Sequence, residues 1–439
     1  MAEGSSAPVA APAAGARNER PTRVRFVMLA LIATGTLINY LDRTILGIAA
    51  PALTKEIGID AALMGVVFSA FSWTYAAAQV PGGAFLDRFG TRLTYCLSVG
   101  FWSFFTLCQA FVGGVATLLG LRLLLGVAES PCFPANSRVV ATWFPRHERA
   151  FATGVYTVGE YIGLAFLSPL LFLMLAEWGW RSLFVAAGLL GLGFAGLWWA
   201  KYRDPDESRA NAAELAAIVA GGGLAGKPTA QRLDWRSVGL LLRHRQMWGI
   251  CIGQFAGNST LVFFLTWFPT YLATERHMDW LKIGFFAVLP FVAASAGVLF
   301  GGWWSDLMLR RGQSANVARK LPIILGLLLA STIVAANFLD DNRLVIAVLS
   351  LAFFAQGMAA LGWTLVSDIA PEGMLGVTGG VFNLAANLAG IVTPIVIGAI
   401  VATTGSFFYA LAFISCIALL GAASYVFLLG NVQRLVVAR

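Results

Sequence analysis

Apolar and polar residues fall along this chain in long blocks rather than in short steps. Twelve predominantly apolar runs, each near the 20 or so residues that an α-helix needs to cross a bilayer, predict helices over 26–50, 62–85, 93–112, 115–136, 150–173, 181–200, 247–272, 282–304, 321–339, 343–366, 377–402 and 407–430. A transmembrane β-barrel would alternate apolar and polar residues in segments of about ten; these runs are too long and unbroken for that. The breaks between runs are short except at 201–246, a polar stretch with an Ala/Gly-rich part at 210–226, which divides the spans six and six. Residues 1–20 are rich in Ala, Pro, Gly and Ser and then turn basic, the composition of a disordered tail. The first apolar run is long enough to stay as a membrane helix and does not read as a signal peptide.

The architecture expected is an all-α membrane protein. A tail over 1–25 precedes a six-helix bundle over 26–200. A cytoplasmic linker over 201–246 leads to a second six-helix bundle over 247–430 and a short tail over 431–439.

Composition supports this. Apolar residues make up 58% of the 439 and charged residues 12%, against about 45–50% and about 25% in soluble domains. The mean hydropathy is +0.76. The surplus apolar surface has to face lipid. A net charge of +8 has its own explanation here and calls for no nucleic-acid partner. With both termini in the cytoplasm, 23 of the 30 Lys and Arg residues fall in cytoplasmic segments, and only Lys55, Arg181, Arg276, Lys282 and Arg343 fall on the other side. That is the positive-inside bias of a plasma (inner) membrane protein. Cys96, Cys108, Cys132, Cys251 and Cys416 all lie in apolar stretches and read as reduced packing residues. His147, His244 and His277 fall in predicted loops, so no histidine relay and no metal centre is expected in the membrane. Nor is there a catalytic arrangement or a nucleotide-binding loop: no enzyme is expected.

The two halves repeat one another. Gly82-Gly83-Ala84-Phe85-Leu86-Asp87-Arg88-Phe89-Gly90-Thr91-Arg92 closes the second span; Gly301-Gly302-Trp303-Trp304-Ser305-Asp306, followed by Arg310-Arg311-Gly312, closes the eighth. Glycine-spaced segments ending on proline, Gly154 to Pro169 and Gly380 to Pro394, match in the fifth and eleventh spans. Internal repeats of this kind mark secondary transporters that bind their solute between the halves. The segment after span two resembles the G-x-x-x-D-R-x-G-x-R motif of the major facilitator superfamily. Asn39-Tyr40-Leu41-Asp42-Arg43 resembles the N-Y-x-D-R of its anion:cation symporter subfamily, which holds bacterial sugar-acid permeases and the sialin type. The region from Arg122 through Glu129, Pro131, Pro134, Asn136 and Arg138 to Trp143-Phe144-Pro145 and Glu148-Arg149 is similar to that subfamily's fourth span. Gly362-Trp363, Ser367-Asp368 and Thr378-Gly379-Gly380 with Asn383 extend the match, which runs from about residue 24 to 430. The resemblance implies the major facilitator fold, two pseudo-symmetric bundles of six helices, and a monomer suffices for it.

Asp42 and Arg43 in span one, Arg122 and Glu129 in span four and Glu160 in span five are predicted inside the membrane. Each charge there costs about 2.5–3.5 kcal/mol on insertion scales, so they must pair with one another or line a wet cavity. Arg122 and Glu129, seven apart, share a helix face. A carboxylate in oil that has an arginine beside it offers a coupling device. When an anion takes the arginine, the carboxylate loses its partner and binds a proton more readily. By resemblance to the sugar-acid permeases, Asp42 and Glu129 are the proton sites, Arg43 holds the substrate carboxylate and Arg122 modulates Glu129. Glu160 stands where those permeases have glutamine; it is expected to meet substrate hydroxyls and to carry a further proton. Tyr40, Tyr75, Gln79, Asn258, Trp363, Asn383 and Asn387 are expected to line the site, the hydroxyl and amide groups of the Tyr, Asn and Gln residues matched to a polyol. Asp87, Arg88, Arg92 and Asp306 are expected to gate, with Asp87 locking the halves together on the inner side in the outward-open state.

The function these features imply is proton-coupled symport of an organic anion, most simply a sugar acid of the hexonate or hexarate type, by alternating access, with the proton as coupling ion and no cofactor. Small aromatic carboxylates are the alternative substrates. Drug export by proton antiport is the alternative mechanism; it usually brings a G-P-x-x-G-G motif to span five, which here ends Leu167-Ser168-Pro169-Leu170.

Overall fold

Helices follow one another with no strand between them among the described residues: α1 (Val24–Ile57), α2 (Ala61–Gln109), α3 (Val115–Glu129), α4 (Cys132–Trp143), α5 (Arg149–Trp178), α6 (Trp180–Lys201), α7 (Ala212–Ala220), α8 (Trp235–Leu241), α9 (Arg245–Thr266), α10 (Phe268–Thr270), α11 (Trp280–Arg310), α12 (Ala315–Ala330), α13 (Asn342–Ala359), α14 (Gly362–Ile369), α15 (Leu375–Thr404) and α16 (Phe408–Ala423). The structure is a computed structural model and describes residues 20–145, 148–221, 223, 235–371 and 374–435; the side chains at 150, 158–160, 162–164, 235, 237, 367 and 375–376 lie outside the described set.

Among the described residues, ten helical segments are long and apolar enough to cross a membrane. Two of the twelve expected spans are hidden in that figure. The 49-residue α2 breaks at Gly90, whose φ of 78° is left-handed, so limbs 61–89 and 91–109 are two crossings joined by one glycine. The expected loop between spans two and three is therefore far tighter than the apolar pattern implied. Helix α5 is 30 residues long and contains the apolar segment Ala165–Trp178. Twelve crossings fit the architecture.

Local chemistry sets the helix ends. Gly58, at φ 73°, terminates α1 by donating its N–H to the Thr54 carbonyl at 3.0 Å. Asp60 then caps α2 by accepting from the Leu63 N–H at 2.7 Å. Within the first half, α2 packs on α3 and α6, and α1 on α5 and α6; within the second, α11 packs on α13, and α9 on α15 and α16. Among the described residues the main pairings across the halves are α2 with α15, α5 with α11, and α1 with α9 and α10. The first is closest at the end opposite the chain termini. A Cβ at Gly65 would strike the Pro394 carbonyl oxygen, and one at Gly398 would strike that of Ala61. Small residues here let two backbones touch. At the other end Val80, Phe85 and Phe89 of the first half and Trp363 of the second are exposed.

Residues 20–25 and 201–221, the described parts of the segments read as tail and linker, make defined contacts. α1 starts at Val24, and Arg23 offers it no side-chain cap. Instead Glu214 of α7, fully buried, accepts the Val24 and Arg25 N–H groups at 3.1 Å each and the Thr22 hydroxyl at 2.6 Å. Arg25 also pairs with Glu214 at 3.2 Å and with Glu148 at 3.0 Å. Residues 20–25 are thus pinned to a helix within the segment expected as a linker. Arg146 and His147 lie outside the described residues.

Candidate functional site

Asp42 and Arg43 are adjacent in α1, so they point about 100° apart around the helix, and they have different surroundings. Arg43 is partly exposed, at 20% of its side chain, while Glu129 at the end of α3 is fully buried. The Arg43 Nε donates to Glu129 Oε1 at 2.8 Å, and its Nη2 donates to the same oxygen. Four rings surround the guanidinium: Phe71 at 4.9 Å, Tyr75 at 5.1 Å, Tyr40 at 5.2 Å and Phe133 at 6.0 Å from its central carbon. Cation–π attraction strengthens as water is excluded, so this cage holds the fork while leaving its charge partly accessible. Arg122, almost fully buried, lies over the same Phe71 ring at 5.3 Å.

Glu129 is paired with Arg43, the residue assigned to the substrate, and Arg122 makes no ion pair within 4.0 Å among the described residues. Asp42 faces Glu129 and Arg122 rather than Arg43. It is buried in the first half, with neither carboxyl oxygen hydrogen-bonded to a described residue; Trp102 and Thr106 of limb 91–109 face it. The side chain of Glu160 lies outside the described residues.

From the second half, α15 brings Asn383 and Asn387 to one face, as their spacing predicts. The Asn383 amide donates to Gln79 Oε1 at 3.1 Å, joining the halves. The Asn387 amide donates to the Asn383 carbonyl at 3.0 Å, and that of Asn258 to the Ala386 carbonyl at 2.8 Å. Those donors are engaged in packing in this conformation. Trp363 of α14 is half exposed and sets its ring edge-on to Phe382 at 5.1 Å.

The expected gating residues find partners within their own halves. Asp87 pairs with Arg138 at 3.4 Å, and Asp306 with Arg319 at 3.2 Å, which also reaches Asp368 at 3.4 Å. Arg92 donates to the Trp199 carbonyl at 2.8 Å and covers that indole; Arg88 lies over Phe89. No ion pair of Asp87 across the halves occurs among the described residues in this conformation.

Sequence reasoning passed over Asn39, Phe71 and Phe133. Asn39 is fully buried and faces Glu129; its place in the quoted Asn39–Arg43 motif was the available signal. Phe71 and Phe133 are ordinary apolar residues in apolar spans, and only the fold shows that they close over Arg43.

The profile of the Major Facilitator Superfamily matches residues 32–394. The chain belongs to the Major Facilitator Superfamily. Members of this family move solutes across membranes, and the chain is an integral membrane transporter, not an enzyme. It is 44% identical, over 94% of its own length and 98% of the relative's, to the D-galactonate transporter of Escherichia coli O6:H1. It is 40% identical, over 95% and 97%, to the "Probable galactarate/D-glucarate transporter GarP" of Escherichia coli K12. Among solved structures, a bacterial homolog of the human lysosomal transporter Spinster matches with a TM-score of 0.70 at 17% identity, over 93% of this chain and 95% of that one. The xylose transporter XylE from E. coli gives 0.70 at 14% identity, over 93% and 97%. At those identities the likeness speaks for the fold alone.

Proposed function

We propose that the protein imports a sugar acid together with protons, and that its preferred substrate is a hexonate. The observation that carries this reading is the shared use of Arg43: a caged, partly exposed guanidinium whose fork is held by a fully buried carboxylate, Glu129. A substrate carboxylate that takes the fork leaves Glu129 without its counter-charge in a place closed to water. A carboxylate so stranded takes up a proton rather than stay ionised. Anion and proton then load together. Relatives named for D-galactonate and for galactarate/D-glucarate support the sugar-acid class. Among the described residues Arg43 is the one partly exposed cation at the site, which suits one carboxylate, as on an aldonate, better than the two of an aldarate.

Substrate and proton cross by alternating access. The halves meet through α2–α15 at the end opposite the termini, while Val80, Phe85, Phe89 and Trp363 are exposed at the terminal end. With the termini cytoplasmic, the orientation that the Lys and Arg distribution supports, this is an inward-open carrier. One proton with a monovalent anion is electroneutral and draws about 1.4 kcal/mol per pH unit; a second proton adds about 2.3 kcal/mol per 100 mV of membrane potential.

A thermal-shift panel tests the substrate. D-galactonate should raise the melting temperature most, galactarate and D-glucarate less, and neutral galactose not at all. Stabilisation by benzoate or phthalate with none by the sugar acids would replace the sugar-acid reading with the aromatic one.

A further inference from the structure

Limb 91–109 carries a polar stripe through an apolar bundle. Thr91, Thr94, Tyr95, Ser98, Trp102, Thr106 and Gln109 recur at helical spacing on one face, and all are buried. The stripe is interrupted at Ser98, whose hydroxyl is committed to the Ala128 carbonyl at 2.5 Å; on the side of the termini, Thr94 Oγ1 and Tyr95 Oη are buried and hydrogen-bond to no described residue. Away from the termini, Trp102 Nε1, Thr106 Oγ1 and Gln109 Oε1 are all buried and hydrogen-bond to no described residue. Both oxygens of Asp42 likewise lack a well-formed hydrogen bond to a described residue, with the Trp102 indole N–H and the Thr106 hydroxyl as their near donors. The charged groups facing Asp42 are Glu129 and Arg122, both from α3. Buried polar groups without partners are uncommon in folded proteins and call for an explanation. Five such atoms gathered along one short stretch leading to one carboxylate are polar enough to hold ordered water.

We propose that Thr106 and Gln109, bridged by water, form a proton path between Asp42 and the membrane face opposite the termini, separate from the route the sugar acid takes. The inference rests on the proton-coupled reading above. Gln109 is the last residue of α2, and only three residues, about 4.5 Å along the helix axis, separate it from Thr106. In this conformation the halves are in contact on that side, so the solute has no way to Asp42 from there, while a proton needs only a file of water and hydroxyl. A hydronium ion at the outer face gives its proton to the first water. Each water, and the Thr106 hydroxyl, accepts one proton and passes one on, and the Asp42 carboxylate ends protonated. Gln109 orients the water and does not carry the proton. Thr106 and Gln109 are therefore positioning residues.

The test uses the full chain in oriented liposomes, with Thr106→Val and Gln109→Leu alone and together. An acid pulse on the face opposite the termini drives labelled D-galactonate uptake in H2O and in D2O. The path predicts that Thr106→Val lowers acid-driven uptake several-fold and changes its solvent isotope effect, that Thr106→Ser restores both, and that D-galactonate affinity and equal-pH counterflow are unchanged. The melting temperature should hold, because valine keeps the β-branched shape of threonine. Unaltered acid-driven uptake in the double variant, with a wild type that responds to the pulse, overturns the path and leaves proton coupling standing. A wild type indifferent to the pulse overturns both. Equal losses in Thr106→Ser and Thr106→Val, or a lowered melting temperature with lost counterflow, assign the stripe to packing and also overturn the path.

Discussion

Arg43→Lys separates charge from geometry at the site. Lysine keeps a cation beside Glu129 within the ring cage of Tyr40, Phe71, Tyr75 and Phe133, so the buried carboxylate is not stranded. Truncation to alanine would strand it, which typically costs about 3–5 kcal/mol of stability. What lysine loses is the fork. Arg43 reaches Glu129 through Nε and Nη2 together, and a single ammonium cannot reproduce that while also meeting a second carboxylate edge-on. The loss is one charge-assisted hydrogen bond, about 1.5–3 kcal/mol, which falls on substrate affinity if the fork is where the substrate docks. At about 1.4 kcal/mol per tenfold, the dissociation constant for D-galactonate should rise by about 10- to 150-fold. Isothermal titration of purified protein measures it, with thermal unfolding run alongside to show that the variant is folded. A folded Arg43→Lys protein that binds D-galactonate as tightly as the wild type would refute the role given to the fork.

Further expectations follow from the same structure. Glu129→Gln keeps the size of the side chain and removes its proton chemistry; uptake against a gradient should vanish while exchange of D-galactonate persists, and normal accumulation would take Glu129 out of the coupling. Glu214→Ala removes the carboxylate that caps α1 from a distant helix and pairs with Arg25. Loss of a cap is worth about 0.5–2 kcal/mol and of a charged bond about 1.5–3 kcal/mol, so the Val24 and Arg25 amides should exchange hydrogen at least about thirtyfold faster; unchanged exchange would mean that α7 does not hold α1. Asp204, beyond the end of α6, accepts from the Tyr202 hydroxyl at 3.0 Å, and burial holds its carboxyl above the usual range. The folded protein then binds more protons than the unfolded one between those two values, and this residue's contribution to stability falls as pH rises through that window. Asp204→Asn, which keeps the acceptor for Tyr202, should flatten that part of the stability–pH curve; a curve identical to the wild type would contradict the assignment.

The apolar blocks made the membrane fold legible, because a bilayer demands long unbroken runs and little else produces them. They could not show that spans two and three turn on Gly90 alone, since a left-handed glycine leaves no mark in an apolar pattern. The mid-membrane charges were legible as a set, because their insertion penalty requires a purpose. Their pairing was not. Spacing along α3 put Arg122 and Glu129 on one face, but the partner of Glu129 comes from α1, a relation that only packing creates. The engagement of the polar residues of the second half was hidden for a related reason: Asn258 and Asn387 donate to backbone carbonyls in this conformation, and an asparagine that does so looks in sequence like one that faces a ligand. The tie between Glu214 and α1 spans about 190 residues of sequence, and nothing local announces it.

The claim at the centre is that anion and proton travel together through the Arg43–Glu129 pair. Simultaneous recording of internal pH and labelled D-galactonate in liposomes holding the wild-type protein tests it most directly. With no imposed pH gradient, adding D-galactonate outside should acidify the lumen in step with label uptake, and the acidification should disappear in Glu129→Gln. Label entering while the internal pH stays constant in the wild type would contradict the account.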